Sequence, residues 1–225
     1  MPTKKVEVWD IWVRIGHWAM VIAVILQFIT GGDLSWQQAH ATVGLLILGW
    51  VVFRILWGFW GAGSARFRAF IPTTINALQI SLAALRGGPP ERPATHTALG
   101  GIGALILLLL LGLIALTGAA SSDDIFFEGP LARYLSNDWV TLATSAHDRL
   151  TDLLLVLIGL HLVAIAWHQW RLQEPLIQGM WHGKKPADQG PLWPPSTGPR
   201  IWLRGFALLL VCLLATWLIL GTASL

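Results

Sequence analysis

The chain has 225 residues, of which 55% are hydrophobic and only 12% carry a charged side chain. Together with a mean hydropathy of +0.62, this composition excludes a disordered chain, a coiled coil and most soluble folds, since a typical soluble domain is about 25% charged. The net charge of +3 does not indicate nucleic-acid binding, because the sequence has no basic–aromatic repeat and no glycine-rich phosphate loop.

Five apolar stretches, each near the ~20 residues that a helix needs to cross a bilayer, follow one another along the chain. They cover residues 11–30, 39–60, 98–120, 144–170 and 201–221. Only helices and closed barrels satisfy the backbone in lipid, and the alternating pattern of a barrel is absent. No cleavage pattern follows the first stretch, so we expect it to be retained. The sequence therefore predicts an all-α membrane protein with five spans.

The segments that flank these spans alternate in charge. Basic residues precede the first span and fill the second and fourth loops, whereas the third loop is acidic and the C-terminal tail carries no charged side chain. Since Lys and Arg collect on the cytoplasmic side, the N-terminus is predicted to be cytoplasmic and the C-terminus outside. In the cytoplasmic loops, residues 72–86 and 172–181 predict helices on the membrane surface, and residues 183–199 predict an irregular tether.

Four histidines lie at two matched depths of these spans. His147 and His161 are 14 residues apart in span four, which is about 21 Å along a helix and nearly four turns, so both point to about the same face. His40 lies at the outer start of span two and His17 near the inner end of span one. The depths pair His40 with His147 at the outer level and His17 with His161 at the inner level.

Two such pairs are typical of two bis-histidine b-type haems stacked across a helix bundle. A second axial histidine leaves no open site on the iron, which favours electron transfer over oxygen binding. Arg14 and Arg54 lie at the inner level, where haem propionates need cations. Small residues that make room for macrocycles or close helix contacts are Gly44, Gly103, Gly112 and Gly159.

A metal-transport path through the same histidines, or a purely structural role for them, remains an alternative. Divalent metal sites usually add carboxylates or thiolates, and no Asp or Glu lies deep within these spans; Asp148 and Asp152 are near the outer end of span four. The single cysteine, Cys212, excludes a disulfide framework, a Cys-x-x-Cys zinc site and a covalent haem attachment site.

An ordered set of short motifs carries a family resemblance. The set is Val8–Trp9–Asp10, Arg14, His17–Trp18, His40-x-x-x-Gly44, Arg54-x-x-Trp57–Gly58, Arg66–Phe67–Arg68–Ala69–Phe70, Asp123–Asp124–Ile125, Glu128–Gly129–Pro130–Leu131, His147, His161 and Met180-x-x-Gly183–Lys184. With it, the chain resembles the bacterial cytochrome b561 and nickel–iron hydrogenase b-type cytochrome family. Before span three the family often has Gly-His-Asn-Pro-Leu-Gly, whereas this chain departs from it with Thr95–His96–Thr97–Ala98–Leu99–Gly100.

The resemblance implies an inner-membrane cytochrome with two b haems, whose axial ligands carry over onto His17, His40, His147 and His161. Members exchange electrons between the quinone pool and a partner outside the membrane, such as a hydrogenase, a dehydrogenase or a small c-type cytochrome. Some act alone as superoxide oxidases. The implied domains are a four-span haem-binding bundle at 6–186, a Pro/Gly-rich cytoplasmic tether at 187–200, and a fifth transmembrane helix with an outside tail at 201–225.

Two further sites are expected on this basis. Candidates for a quinone site near the inner haem are His168, Arg171 and His96. Candidates for docking a basic periplasmic partner are the acidic residues Asp123, Asp124 and Glu128. A superoxide oxidase needs cations outside to attract its anion, so the acidic outer loops argue against that alternative.

Overall fold

The computed structural model describes residues 5–61, 63–69, 71, 79, 96–186 and 198–220. Its α-helices are α1 (Ile11–Thr30), α2 (Gln37–Trp60), α3 (Ala98–Ala119), α4 (Asn137–Ala166), α5 (Leu176–His182) and α6 (Pro199–Leu220). Five candidate spans in the described part of the chain are long and apolar enough to cross a membrane, and each contains one helix other than α5. The predicted all-α membrane fold is therefore confirmed. The surface helix predicted at 72–86 falls, except for Gln79, outside the described residues, as does most of the tether.

The fourth span is longer than predicted. Helix α4 begins at Asn137 rather than at residue 144, and continues into a π-helical turn at Trp167–Arg171. The residues before 144 include polar side chains that indicated a loop, but the Val140 amide already donates to the Ser136 carbonyl. His147 consequently lies almost three turns inside the helix.

A short antiparallel sheet, which the sequence did not predict, joins two distant segments. Strand β1 (Lys5–Glu7) pairs with β2 (Lys184–Pro186), so the first part of the predicted tether at 183–199 is regular structure. Gly183 ends α5 in the left-handed region, at φ 77°, which glycine adopts without strain. Its carbonyl accepts hydrogen bonds from the Val8 and Trp9 amides, and this fastens the start of the chain to the end of α5.

Contacts between Cα atoms divide the chain into two compact units, each holding part of every spanning helix. The first unit is Met1–Ile15, Ile55–Ile106 and Gly159–Gly205; the second is Gly16–Arg54, Leu107–Ile158 and Phe206–Leu225.

The fifth span packs on its own chain within both units. In the first unit, the buried Trp12 of α1 donates from Nε1 to the Ile201 carbonyl at 3.3 Å and packs edge-on against Trp202. A Cβ at Gly205 would lie 2.1 Å from Nε1 of Trp12, so only glycine permits this close approach.

In the second unit, α6 packs against α2. A Cβ at Gly49 would lie 2.9 Å from Cδ2 of Leu213, and Leu220 joins Leu45 and Leu48 in a buried cluster. Close packing through small residues stabilises helix association in lipid, where no hydrophobic driving force acts between helices.

Candidate functional site

The structure brings His40 and His147 together inside the second unit. Their ring centroids are 6.2 Å apart, and the ring planes cross at 79°. Two metal–nitrogen bonds of about 2 Å, plus about 1 Å from each nitrogen to its ring centre, give a centroid separation of about 6 Å. The observed separation therefore fits one iron held between the two imidazoles.

Hydrogen bonds hold both rings in the tautomer that a metal ligand requires. Nδ1 of His147 lies 3.0 Å from the Ile114 carbonyl, which accepts only, so Nδ1 carries the proton. Nδ1 of His40 lies 3.2 Å from the Thr30 hydroxyl, which itself donates to the Leu26 carbonyl and therefore accepts from the imidazole. The lone pair of each ring is then on Nε2, the arrangement that outer hydrogen bonds impose on histidine ligands.

Glycines form close contacts around this pair. A Cβ at Gly118 would lie 2.9 Å from Cε1 and 3.0 Å from Nδ1 of His147, while one at Gly31 would lie 3.5 Å from Cε1 of His40. Neither glycine was predicted from the sequence, because the contacts join residues of different helices or turns. Thr30 was missed for the same reason.

We expect Gly118→Ala to reduce the haem content of this site without unfolding the chain. The added methyl group meets the His147 ring, which its bond to Ile114 already holds, so the imidazole has to turn away from its partner. The measurement is haem per chain after purification, with Gly198→Ala as the matched control, because no atom of the described residues lies within 4 Å of a Cβ at Gly198. Equal haem content in the two variants would contradict the expectation.

The glycines that the sequence did single out divide into two kinds. A Cβ at Gly44 would lie 3.3 Å from Nε2 of Gln27, and one at Gly112 would lie 3.1 Å from Cγ1 of Val51. These two positions permit close helix contacts. Among the described residues, no atom lies within 4 Å of a Cβ at Gly103 or Gly159.

The two histidines predicted at the inner level, His17 and His161, belong to different compact units. His17, in the second unit, packs edge-on against Trp18 at 5.1 Å. The preceding Gly16 lies directly against Trp50, whose Cζ2 would be 1.6 Å from a Cβ there; this fixes the level of α1 on α2. His161, in the first unit, is half-buried in α4.

The residues predicted to bind the haem propionates or quinone have different surroundings. Arg14 donates from Nη2 to the Trp181 carbonyl, and Arg54 is half-buried in α2. His96 stacks edge-on against the buried Trp9, with ring centroids 4.7 Å apart. Arg171 is exposed at the end of the π-helical turn.

The remaining quinone candidate, His168, is paired with a residue that the sequence did not single out. Its Nδ1 lies 2.9 Å from Oε2 of Glu174, a side chain that is 7% exposed. Gln173 adopts a positive φ of 55°, so the chain turns back just before Glu174. No local sequence pattern predicts this turn.

The acidic outer loop has a defined internal structure. The Asp123 carboxylate accepts hydrogen bonds from the Ile125, Phe126 and Phe127 amides at 2.7 to 3.0 Å, and these bonds lower its pKa to about 2. The loop thereby presents the side chains of Ile125 and Phe126, 78% and 71% exposed, at its tip. Asp124 and Glu128 are exposed beside them.

A family model for the prokaryotic cytochrome b561 matches residues 8–183. The chain belongs to the prokaryotic cytochrome b561 family. It is a bacterial membrane protein of a family that binds b-type haem and transfers electrons. No curated protein matches the chain.

A backbone hydrogen bond joins the two ends of the region of this cytochrome b561 that the family model matches. Its first residue, Val8, donates from its amide to the carbonyl of its last, Gly183, at 2.7 Å. Among the residues that the structure describes, no group of three or more His, Cys, Asp or Glu side chains could hold a metal ion. The family match favours haem binding and electron transfer over the metal-transport alternative.

Proposed function

We propose that this cytochrome b561 holds two b haems and passes electrons between quinone at the cytoplasmic side and a redox protein outside the membrane. Haem iron supplies one-electron chemistry by changing between its ferric and ferrous states. The chain's own contribution is to hold the iron, to set its surroundings and to bind the two exchange partners. The direction of flow follows from the potentials of those partners.

The single observation that carries the proposal is the His40–His147 pair. Both rings have Nδ1 bonded to an oxygen acceptor and stand 6.2 Å apart. We assign this pair to the outer haem, and His17 with His161 to the inner haem. The assignment of the inner pair rests on the 14-residue spacing in α4 and on the family resemblance.

The proposed orientation has a cytoplasmic N-terminus and a periplasmic C-terminus. It rests on the basic residues before α1 and in the second and fourth loops. In that orientation the His40–His147 pair and the acidic loop lie towards the periplasm. Arg14, Arg54, His168, Arg171 and His96 lie towards the cytoplasm, where we place the propionates of the inner haem and the quinone.

The periplasmic partner is proposed to be a basic redox protein such as a c-type cytochrome. Asp124 and Glu128 supply negative charge, and Ile125 and Phe126 supply an apolar contact at the loop tip. Asp123 contributes by bracing the tip through its backbone hydrogen bonds. Charged groups at the rim of an interface speed the encounter with an oppositely charged partner, and apolar groups at its centre stabilise the complex.

The test is electron transfer through the protein in lipid nanodiscs. A soluble quinol is added without oxygen, haem reduction is followed by absorbance, and an oxidised basic c-type cytochrome is then mixed in. We expect both steps to proceed, the second with a rate constant that falls as salt is raised. Haem that superoxide reduces much faster than quinol does would assign the protein instead to stand-alone superoxide oxidation.

We expect the double variant Asp124→Lys with Glu128→Lys to slow the second step about tenfold at low ionic strength, because it reverses the charge at the loop. The matched control is Asp138→Lys, which changes an exposed acidic residue in the first turn of α4. The quinol step should be the same in both variants. Equal slowing by the two variants would mean that the loop is not the docking site.

A further inference from the structure

A buried ionic cluster of His168, Glu174 and Lys185 lies just after α4. Glu174 is 6% exposed and Lys185 is 3% exposed. The Glu174 carboxylate lies 2.9 Å from Nδ1 of His168, and its amide donates to the His168 carbonyl at 3.0 Å. All three residues belong to the first unit.

Lys185 balances the charge of the carboxylate. Burial lowers the pKa of the Lys185 ammonium, and the nearby Glu174 carboxylate offsets part of this shift. Its position is fixed because β2 pairs with β1 and because Cγ of Lys185 lies against Gly179 of α5. A buried carboxylate that already has a cation stays available to accept a hydrogen bond from a neutral imidazole.

The other titratable or charged side chains come from the elements that pack around this loop. They are Arg14 in α1, Arg171 in the π-helical turn, His182 in α5, Lys184 in β2 and Glu7 in β1. Arg171, His182 and Lys184 are exposed, and Arg14 and Glu7 are half-buried. The carboxylate that touches His168 among the described residues is that of Glu174.

The geometry gives His168 one free nitrogen. Because an ionised carboxylate only accepts, Nδ1 carries a proton, and in the neutral ring the lone pair is on Nε2. The His168 side chain is 24% exposed, so part of this side chain can be reached from outside the cluster. An imidazole whose tautomer is held by a buried carboxylate is the arrangement of a general base. A π-helical turn, such as the one that carries His168, is frequently found at functional sites.

We propose that His168 accepts the protons of quinol oxidation and that Glu174 is its positioning residue. This inference rests on the proposed function and adds a proton path to it. Oxidation of a quinol breaks two O–H bonds, forms two C=O bonds and releases two electrons and two protons. A bound b haem would take up these electrons one at a time. The first proton goes to Nε2 of His168 and on to cytoplasmic water, and the regenerated imidazole takes the second. Quinone reduction follows the same path in reverse.

The first experiment measures the rate of haem reduction by quinol against pH in the haem-loaded protein. In the native chain the rate should rise with pH, because a general base accepts a proton only in its unprotonated form. His168→Asn should lower the rate about a hundredfold and remove this rise, and Glu174→Gln should lower it about tenfold. Glu174→Asp should recover part of the loss. His182→Asn is the matched control, since it removes an exposed histidine of α5, and it should behave like the native chain.

The second experiment reads the tautomer without any turnover. Histidine ¹⁵N shifts of the dithionite-reduced protein, with the His168 signal identified by its absence in His168→Asn, should show a protonated Nδ1 and an unprotonated Nε2. The preference should weaken in Glu174→Gln.

The outcomes separate this inference from the proposed function. A native chain that quinol does not reduce at any pH would overturn the proposed function itself. A native chain that quinol reduces, with an unchanged pH profile in His168→Asn, would overturn only the role of His168. Variants that lose haem or fold while the remaining holoprotein keeps the native profile would show that the cluster merely fastens the loop.

Discussion

His147→Ala should lower the haem content from two b haems per chain to one, and His40→Ala should do the same. Each variant removes one of two imidazoles whose centroids stand 6.2 Å apart, so a single axial ligand remains at that site. The lost coordination bond is not replaced, because no third His, Cys, Asp or Glu gathers there among the described residues. Extraction and counting of haem against protein gives the result.

The control for this expectation is His182→Ala, which removes an exposed histidine of α5. It should keep both haems. A second control uses His147→Gly, in which the space left by the side chain admits free imidazole. Added imidazole should restore part of the lost absorbance if the loss was one of ligation. Full haem content in both His147→Ala and His40→Ala would contradict the paired assignment.

Asp10→Ala should lower the free energy of unfolding by about 3 kcal/mol. Asp10 is 7% exposed; its Oδ1 accepts from the Val13 amide and its Oδ2 from Nε1 of the buried Trp57, both at 2.8 Å. Loss of the capping bond costs about 1 kcal/mol, and the buried indole N–H left without its acceptor costs about 1–3 kcal/mol more. The measurement is unfolding in mixed micelles followed by Trp fluorescence.

Asp33→Ala is the matched control for this stability effect. Asp33 also caps a helical turn, through the Ser35 amide at 2.9 Å. It is exposed, and its carboxylate accepts from the amide and the hydroxyl of Ser35 in its own turn. Its loss should change stability by less than about 1 kcal/mol. Asp10→Asn should fall between the two, because an amide oxygen can replace one of the two acceptors. If Asp10→Ala lowered the free energy of unfolding no more than Asp33→Ala does, the hydrogen bond that links α1 to α2 through Trp57 would not be a main stabilising contact.

The spans were predictable because membrane insertion is governed by local composition. An apolar run of about 20 residues can be recognised as a span without knowing which other segments it packs against. All five runs form helices. The facing of His40 and His147 was also predictable, since it depends on depth within two spans. The start of α4 at Asn137 was missed because polar residues at a helix end resemble a loop in sequence.

Features that depend on contacts between distant residues were not predictable. Strands β1 and β2 are three residues each and lie almost the whole family domain apart, so neither carries a periodic pattern. The fit of Gly118 against His147 and the bond from Glu174 to His168 depend on how helices and turns meet. A sequence shows which residues are present, but not which of them touch.

The measurement that tests the central claim most directly is the dithionite-reduced minus oxidised spectrum of the purified native chain, with extracted haem counted per chain. We expect two b haems that leave on acid–acetone extraction, both with the spectrum of six-coordinate, low-spin iron. We also expect that neither reduced haem binds carbon monoxide, because a pair of histidines would leave no open position on either iron. One haem per chain, or a carbon monoxide shift of the outer haem, would contradict the pairing of His40 with His147.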